Sequence, residues 1–203
     1  MTELDPAFAT NATDDLAPDC NDLTDADWAD IEAEGEPLPA DIDLDVERLS
    51  QRRRHLRACI TIPAAPEWVW QVLTDYDRLA EFIPSLRESC RLGEADGCTL
   101  LRQVGVETFL RVSFSAAVVL KMQETYLQRI DFGMTEGDFN EFEGSWELEP
   151  VAVDAQPHTQ LTYVLRLQPP RRMPARLIEG RLRRNLCDNL TAVRREACAR
   201  AVK

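Results

Sequence analysis

The feature that most constrains the fold of this chain is a long stretch in which apolar residues occupy every second position. Side chains of a β-strand point alternately to the two faces of a sheet, so this stretch predicts a strand with one buried face. Its apolar positions are Leu110, Val112, Phe114, Ala116, Val118, Leu120 and Met122. A strand of this length needs partner strands and a second layer that covers its apolar face.

The same period of two recurs on both sides of this stretch and predicts a meandering antiparallel sheet. A hairpin is expected before it, around a turn bounded by Gly93 and Gly97. Strands are expected at residues 55–62, 85–92, 99–106, 126–134, 142–148 and 161–167. Between the first of these and the hairpin, apolar residues at helical spacing predict two short helices, the second ended by Pro84.

The last part of the chain predicts one long helix from about Met173 to Ala201. Its apolar residues recur every three or four positions and form one stripe. They are Ile178, Leu182, Leu186, Leu190, Val193 and Ala197. We therefore expect an α+β helix-grip architecture, in which a curved antiparallel sheet of about seven strands wraps the C-terminal helix. Where the sheet and the helix diverge, an apolar ligand cavity is expected.

The charge of the chain is unevenly distributed, and this predicts two regions. Residues 1–47 carry 16 of the 36 acidic residues and no lysine or arginine, which leaves 20 acidic residues against all 23 basic ones in the remainder. Such a segment, poor in aromatic residues, is typical of disorder. We expect an acidic, mostly disordered tail at 1–47 and a folded domain at 48–203. We expect no secretion signal and no membrane-spanning segment, and hence a cytoplasmic protein.

Two segments of the expected domain resemble a known family. Residues 65–84 (APEWVWQVLTDYDRLAEFIP) are similar to the first helices, and residues 142–150 (FEGSWELEP) to the late strands, of the polyketide cyclase/dehydrase and coenzyme Q-binding family. This family belongs to the START-like (SRPBCC) superfamily, and the resemblance covers about residues 52–200. It implies a helix-grip fold with a deep lipophilic cavity. Members range over quinone-lipid binding, aromatic polyketide cyclisation and ribosome association.

The function that we expect is binding, for carriage or sensing, of a hydrophobic small molecule such as an isoprenoid quinone, a lipid or a polyketide. Arg102 shares the parity of Leu100 and Val104 and is expected to point inward, toward an acidic headgroup or an enol oxygen, or to reach the rim of the cavity. The other expected cavity residues are Leu110, Val112, Phe114, Ala116, Val118, Tyr126, Phe132, Trp146, Tyr163, Ile178, Leu182 and Leu186.

An enzyme is the first alternative, namely a cyclase or dehydrase that uses Arg102 and Tyr163. It is less favoured, because His55 and His158 lie outside the expected interior and Asp75 and Asp77 suit a turn between short helices. Motifs of nucleotide, hydride, serine-hydrolase and zinc-protease chemistry are absent, and the six cysteines are scattered. We expect no cofactor and no metal.

The arginine-rich C-terminal helix provides the second alternative, an interaction module. Its arginines form a solvated face, pair with the acidic tail of the same chain, or contact ribosomal RNA or an anionic membrane. No sequence-specific binding to nucleic acid is expected.

Overall fold

A computed structural model describes residues 38–109, 112–170 and 175–202. Within these ranges the strands are β1 Ile42–Arg48, β2 Arg54–Ile62, β3 Leu86–Ala95, β4 Cys98–Phe109, β5 Val112–Thr125, β6 Arg129–Gly137, β7 Glu141–Val153 and β8 Gln156–Gln168. The helices are α1 Pro66–Leu73, a 3-10 turn Tyr76–Arg78, α2 Leu79–Phe82 and α3 Ala175–Ala201.

All of these strands belong to one antiparallel sheet in the order β1-β2-β8-β7-β6-β5-β4-β3. The long helix α3 packs against β2, β8 and α1. The predicted helix-grip architecture is therefore confirmed. The sheet has eight strands within the described residues, where about seven were expected.

The additional strand is β1, which lies in the segment that the sequence analysis assigned to the acidic tail. Ile42 pairs with Ile60 of β2 and Val46 pairs with Leu56, so the apolar positions of β1 extend the apolar face of its neighbour. The alternation was missed in the sequence because the segment is acidic. Its exposed positions, which alternate with the apolar ones, are Asp43, Asp45 and Glu47. Residues 1–37 of the expected tail lie outside the described residues.

The predicted hairpin is confirmed, but its turn is shorter than the one expected between Gly93 and Gly97, because β3 continues to Ala95. Ala95 pairs with Cys98, which leaves Asp96 and Gly97 as a two-residue loop. Both have positive φ, 52° and 73°. This is the backbone that a type I′ hairpin turn requires, and Asp-Gly is among the residue pairs that adopt it at low cost.

The connection from β2 to β3 determines where the interior is closed. These two strands lie near opposite ends of the sheet order, so α1, the 3-10 turn and α2 must cross from one end to the other. Pro66 and Glu67 suit the first turn of α1, and its buried residues Val69, Trp70 and Leu73 follow at helical spacing. The crossing segment forms one wall of the interior.

Helix α3 supplies the other layer. Its 27 residues span about 40 Å at about 1.5 Å per residue. Leu186, Leu190, Val193 and Ala197 are all buried and recur every three or four residues, as the predicted stripe requires. In the described residues, no helix is both long enough and apolar enough to cross a membrane.

Candidate ligand cavity

A cavity of about 250 Å³ lies between the concave face of the sheet and the helices. Strands β4 to β8 form its floor, the crossing segment forms one wall and α3 forms the other. Its surface is mostly apolar. The strand residues that line it include Leu101, Ala116, Val118, Leu120, Met122, Phe132, Phe142, Trp146, Tyr163 and Leu165. The helical residues include Leu73, Tyr76, Leu79, Leu182, Leu186 and Val193.

Most of the described residues that were expected in the cavity do line it. These are Ala116, Val118, Phe132, Trp146, Tyr163, Leu182 and Leu186. Leu110 lies outside the described residues, and so do the side chains of Val112, Phe114 and Ile178.

The expected inward position of Arg102 is wrong. Side chains of directly paired residues share one face of a sheet. Arg102 pairs with Val119, whereas the next residue, Gln103, pairs with Val118, which lines the cavity. Arg102 accordingly lies on the outer face and donates a hydrogen bond to Glu88. The sequence was ambiguous here, because Leu100 and Leu101 are consecutive and fit either phase of the alternation.

The expected position of Tyr126 in the cavity is also wrong. Strand β5 ends at Thr125 and β6 begins at Arg129, so Tyr126 lies in the turn and is 68% exposed. Its ring packs edge-on against Trp70, with the centroids 5.5 Å apart. The expectation was wrong because it extended the alternation of the strand across a turn that interrupts it. Beyond the turn, Ile130 and Phe132 are buried as expected.

An aromatic cluster forms one end of the cavity. Trp146 and Tyr163 are directly paired on β7 and β8, and their rings stack with centroids 3.8 Å apart. Phe132 on β6 lies 6.1 Å from the ring of Tyr163 and 5.9 Å from that of Phe142. Phe139 extends the cluster, 5.2 Å from Phe142. Such tilted and stacked pairs add to the stability gained by burial and fix the ring positions.

Gly144 on β7 makes room for this cluster. It pairs with Phe132, and a Cβ atom at this position would lie 2.6 Å from Cζ of Phe132 and 2.1 Å from the backbone oxygen of Val164. Both distances are far below van der Waals contact. The ring of Phe132 therefore covers the glycine, and no larger residue fits without moving the backbone.

Tyr76 is a cavity tyrosine whose hydroxyl is already engaged. Its hydroxyl donates a hydrogen bond of 2.7 Å to Oε1 of Glu124. Burial, and then the carboxylate of Glu124, raise the pKa of Tyr76 well above its ordinary value. The carbonyl of Tyr76 accepts a hydrogen bond of 2.6 Å from the hydroxyl of Ser89. Tyr76 is thus a structural residue that fastens the 3-10 turn to β3 and β5.

Tyr163 differs in one respect. It is 7% exposed and lines the cavity, and within the described part of the chain its hydroxyl makes no hydrogen bond but is open to the hollow. Burial alone raises the pKa of Tyr163 above its ordinary value. The hydroxyl therefore remains protonated across the physiological pH range and is a potential donor that faces an apolar interior.

The remaining polar residues of the cavity wall mostly hold the wall together. The hydroxyl of Ser85 donates to Oδ1 of Asn189 over 3.1 Å, and the carbonyl of Ser85 accepts from the amide of Val106 over 3.0 Å. These two bonds join the end of the crossing segment to α3 and to β4. Gln103 donates to Oγ of Ser89 over 3.4 Å.

The histidines and the paired aspartates are not part of this wall. His55 lies next to Glu47 on the outside of the sheet, and His158 contacts the carbonyl of Gln156. Asp75 forms an ion pair with Arg200 at 2.9 Å, in keeping with a structural role between the short helices. Among the described residues the titratable groups that line the cavity are two tyrosines and Arg181.

Sequence reasoning did not include the crossing segment in the cavity. Leu73, Tyr76, Leu79 and Ile83 all line it. Their helical spacing indicated that they are buried, but it did not show which surface they face. Their place in the cavity follows from the sheet topology. Because β2 and β3 lie near opposite ends of the sheet, the connection between them has to cover the interior.

Most of the domain matches the sequence model of one protein family. Residues 62–194 match the sequence model of the family described as polyketide cyclase / dehydrase and lipid transport. A search of curated protein sequences gave no match.

Solved structures share the fold at low sequence identity. A protein from Thermus thermophilus is 21% identical, with a TM-score of 0.62 over 72% of this chain and 99% of that one. The Zhui aromatase/cyclase from a Streptomyces species is 20% identical, with a TM-score of 0.59 over 74% of this chain and 96% of that one. A STAR-related lipid transfer protein from Xanthomonas axonopodis is 17% identical, with a TM-score of 0.62 over 80% of this chain and 96% of that one.

Proposed function

Because the chain belongs to the polyketide cyclase / dehydrase and lipid transport family, we propose that it binds one hydrophobic small molecule in the cavity, for carriage or sensing. The observation that carries this proposal is the hollow of about 250 Å³ behind a mostly apolar wall. A domain of this size normally packs its interior to crystal-like density, and voids that a side chain could fill cost stability. A hollow of this size is therefore consistent with a binding site.

The volume limits the size of the ligand. A cavity of about 150 Å³ suffices for benzene or xenon, and pockets for drug-sized ligands begin at about 300 Å³. The space bounded by the described residues, about 250 Å³, lies between these values. It matches a body of one or two rings or a short chain. A quinone head fits in this space, and because the cavity is open on one side a longer tail would extend beyond the described wall.

The structure gives less support to the enzyme alternative in the form that we expected. That alternative used Arg102 and Tyr163, and Arg102 lies on the outer face with Glu88. Tyr163 alone provides a donor but no base, because burial keeps its hydroxyl protonated. Binding without turnover is therefore the function that we favour.

The basic helix contacts the N-terminal segment of the same chain. Arg194 of α3 donates a hydrogen bond to the carboxylate of Asp41, which immediately precedes β1, and this contact holds the pKa of Asp41 below its ordinary value. Pairing between the helix and the acidic segment was one of the three expected alternatives. An exposed pair of this kind is worth about 0–1 kcal/mol. Contact of α3 with ribosomes or anionic membranes stays a prediction, as does a cytoplasmic location.

Native mass spectrometry of the full chain, purified from its own cells, tests the proposal. We expect an adduct with the mass of one small organic molecule. Ala116 lines the cavity, and its neighbour Ala117 lies on the opposite face of β5, so Ala116→Phe should occupy much of the cavity and strongly reduce the adduct. Ala117→Phe is the matched control and should retain it. An unliganded native chain, or equal adducts in both variants, would contradict binding in this cavity.

A further inference from the structure

The two cavity tyrosines are chemically alike but differ in their hydrogen bonding. Both are at least nine-tenths buried, with exposed fractions of 1% for Tyr76 and 7% for Tyr163. Tyr76 has Glu124 as its acceptor at 2.7 Å, whereas the hydroxyl of Tyr163 has no acceptor among the described residues. A donor that borders an apolar hollow without a protein partner gains a hydrogen bond when a ligand brings an acceptor oxygen.

The position of the Tyr163 ring is fixed on several sides. It stacks on Trp146 at 3.8 Å with the planes 8° apart, and it contacts Phe132 at a centroid distance of 6.1 Å. Its backbone is held in register between β7 and β2. A side chain fixed in this way loses little additional entropy when a ligand accepts its hydrogen bond. The hydroxyl is thus a preorganised donor.

The surroundings of this donor indicate which acceptor it would suit. Its ring contacts the uncharged rings of Phe132 and Trp146, whereas the charged residue of the cavity wall, Arg181, lies on α3 and has an interaction of its own. Burying an ionised oxygen in such a place is costly, whereas a carbonyl or ether oxygen loses little and gains one hydrogen bond.

From this geometry we infer that Tyr163 is a specificity-determining residue, which donates a hydrogen bond to one neutral acceptor oxygen on an otherwise apolar ligand. The inference rests on the proposed function, since it assumes a ligand in the cavity. It adds that a ligand with a carbonyl or ether oxygen is preferred over a plain hydrocarbon of the same shape. The orientation of the ligand follows, because its oxygen lies at the aromatic end of the cavity.

Two probes of nearly equal size test the inference: naphthalene, which has no acceptor, and 1-tetralone, which carries one carbonyl oxygen. Affinities for the full chain are measured by calorimetry after removal of any co-purified ligand. We expect 1-tetralone to bind the native chain about 3- to 10-fold more tightly than naphthalene, the range of one neutral hydrogen bond. Tyr163→Phe should remove this preference and leave naphthalene affinity nearly unchanged.

Tyr126→Phe is the matched control, because Tyr126 lies in the turn between β5 and β6, is 68% exposed and is not among the described residues that line the cavity. It should leave the ratio of the two affinities as in the native chain. If both probes bind and the ratio is the same in the native chain and in Tyr163→Phe, the inference is overturned while the proposed function stands. If neither probe binds the native chain, the inference is overturned, and the proposed function is then decided by the native mass spectrometry alone.

Discussion

The rings of Trp146 and Tyr163 lie face to face across β7 and β8, with centroids 3.8 Å apart and planes 8° from parallel. Direct pairing of the two residues in the sheet puts their Cβ atoms side by side, which makes the stack possible. The stack forms part of the cavity wall, so the same contact that stabilises the sheet also shapes the site.

Removal of the two buried hydroxyls should have unequal effects on stability. Tyr76→Phe breaks a hydrogen bond to a carboxylate, and we expect it to lower the free energy of unfolding by about 1–2 kcal/mol. Tyr163→Phe removes an unpartnered hydroxyl, and we expect no loss or a gain of up to about 1 kcal/mol. Urea denaturation of the unliganded chain measures both. Equal losses would show that the Tyr163 hydroxyl has an acceptor in the folded chain.

A methyl group at Gly144 should be poorly tolerated. Gly144→Ala brings Cβ into the space of Phe132 and the backbone of Val164, and we expect a loss of about 1–3 kcal/mol from overpacking. Gly133 on the adjacent strand β6 is the control, because a Cβ atom there meets nothing within 4 Å. Thermal unfolding compares the two variants. A Gly133→Ala variant as unstable as Gly144→Ala would show that the loss does not arise from the contacts with Phe132 and Val164.

Stability should fall at high pH. Burial raises the pKa of Tyr76 and Tyr163 in the folded chain above the ordinary value of 10.0. The unfolded chain therefore releases these protons first, so the stabilising contribution is complete below pH 10 and decreases as the pH rises above it. Urea midpoints at about pH 8, 10 and 11 test this. Tyr163→Phe should make the decrease less steep, and a midpoint that is constant up to about pH 11 would contradict the burial.

Alanine substitutions on α3 should distinguish residues that pack in the core from residues that border the cavity. Leu190 is fully buried, and Leu190→Ala should cost about 2–5 kcal/mol through lost contacts and a new void. Leu182 is half-buried and already borders the hollow, so Leu182→Ala should cost less. Equal losses in urea denaturation would indicate that Leu182 packs as tightly as Leu190, with no hollow beside it.

Much of the fold could be predicted because it depends on local periodicity. The alternation around Val118 and the spacing from Leu186 to Ala197 each have one dominant structural interpretation, and the structure agrees with both. The hairpin between Gly93 and Gly97 was also predicted, although its loop is shorter than expected. The strand at Ile42–Arg48 was missed because acidic residues fill its outward positions. The acidic composition of that segment favoured disorder, but its pairing with β2 makes it a strand.

The site could be predicted only where it coincides with an unambiguous strand face. Arg102 follows two consecutive leucines, so the face of the sheet on which it lies depends on the register of β4 with β5. The sequence alone does not determine that register. Tyr126 depended on where β5 ends, and strand ends are set by the turn rather than by periodicity. The unpartnered hydroxyl of Tyr163 is a property of its three-dimensional surroundings. No pattern of residues in the sequence distinguishes it from Tyr76.

The measurement that tests the central claim most directly is a crystal structure of the unliganded full chain under xenon pressure. Xenon enters apolar cavities of about 150 Å³, so a hollow of about 250 Å³ should contain it between Phe132 and Leu186. We predict xenon density at that position in the native chain and markedly lower occupancy in Ala116→Phe. A native interior without xenon, in which side chains from the sheet and from α3 fill the space, would contradict the account.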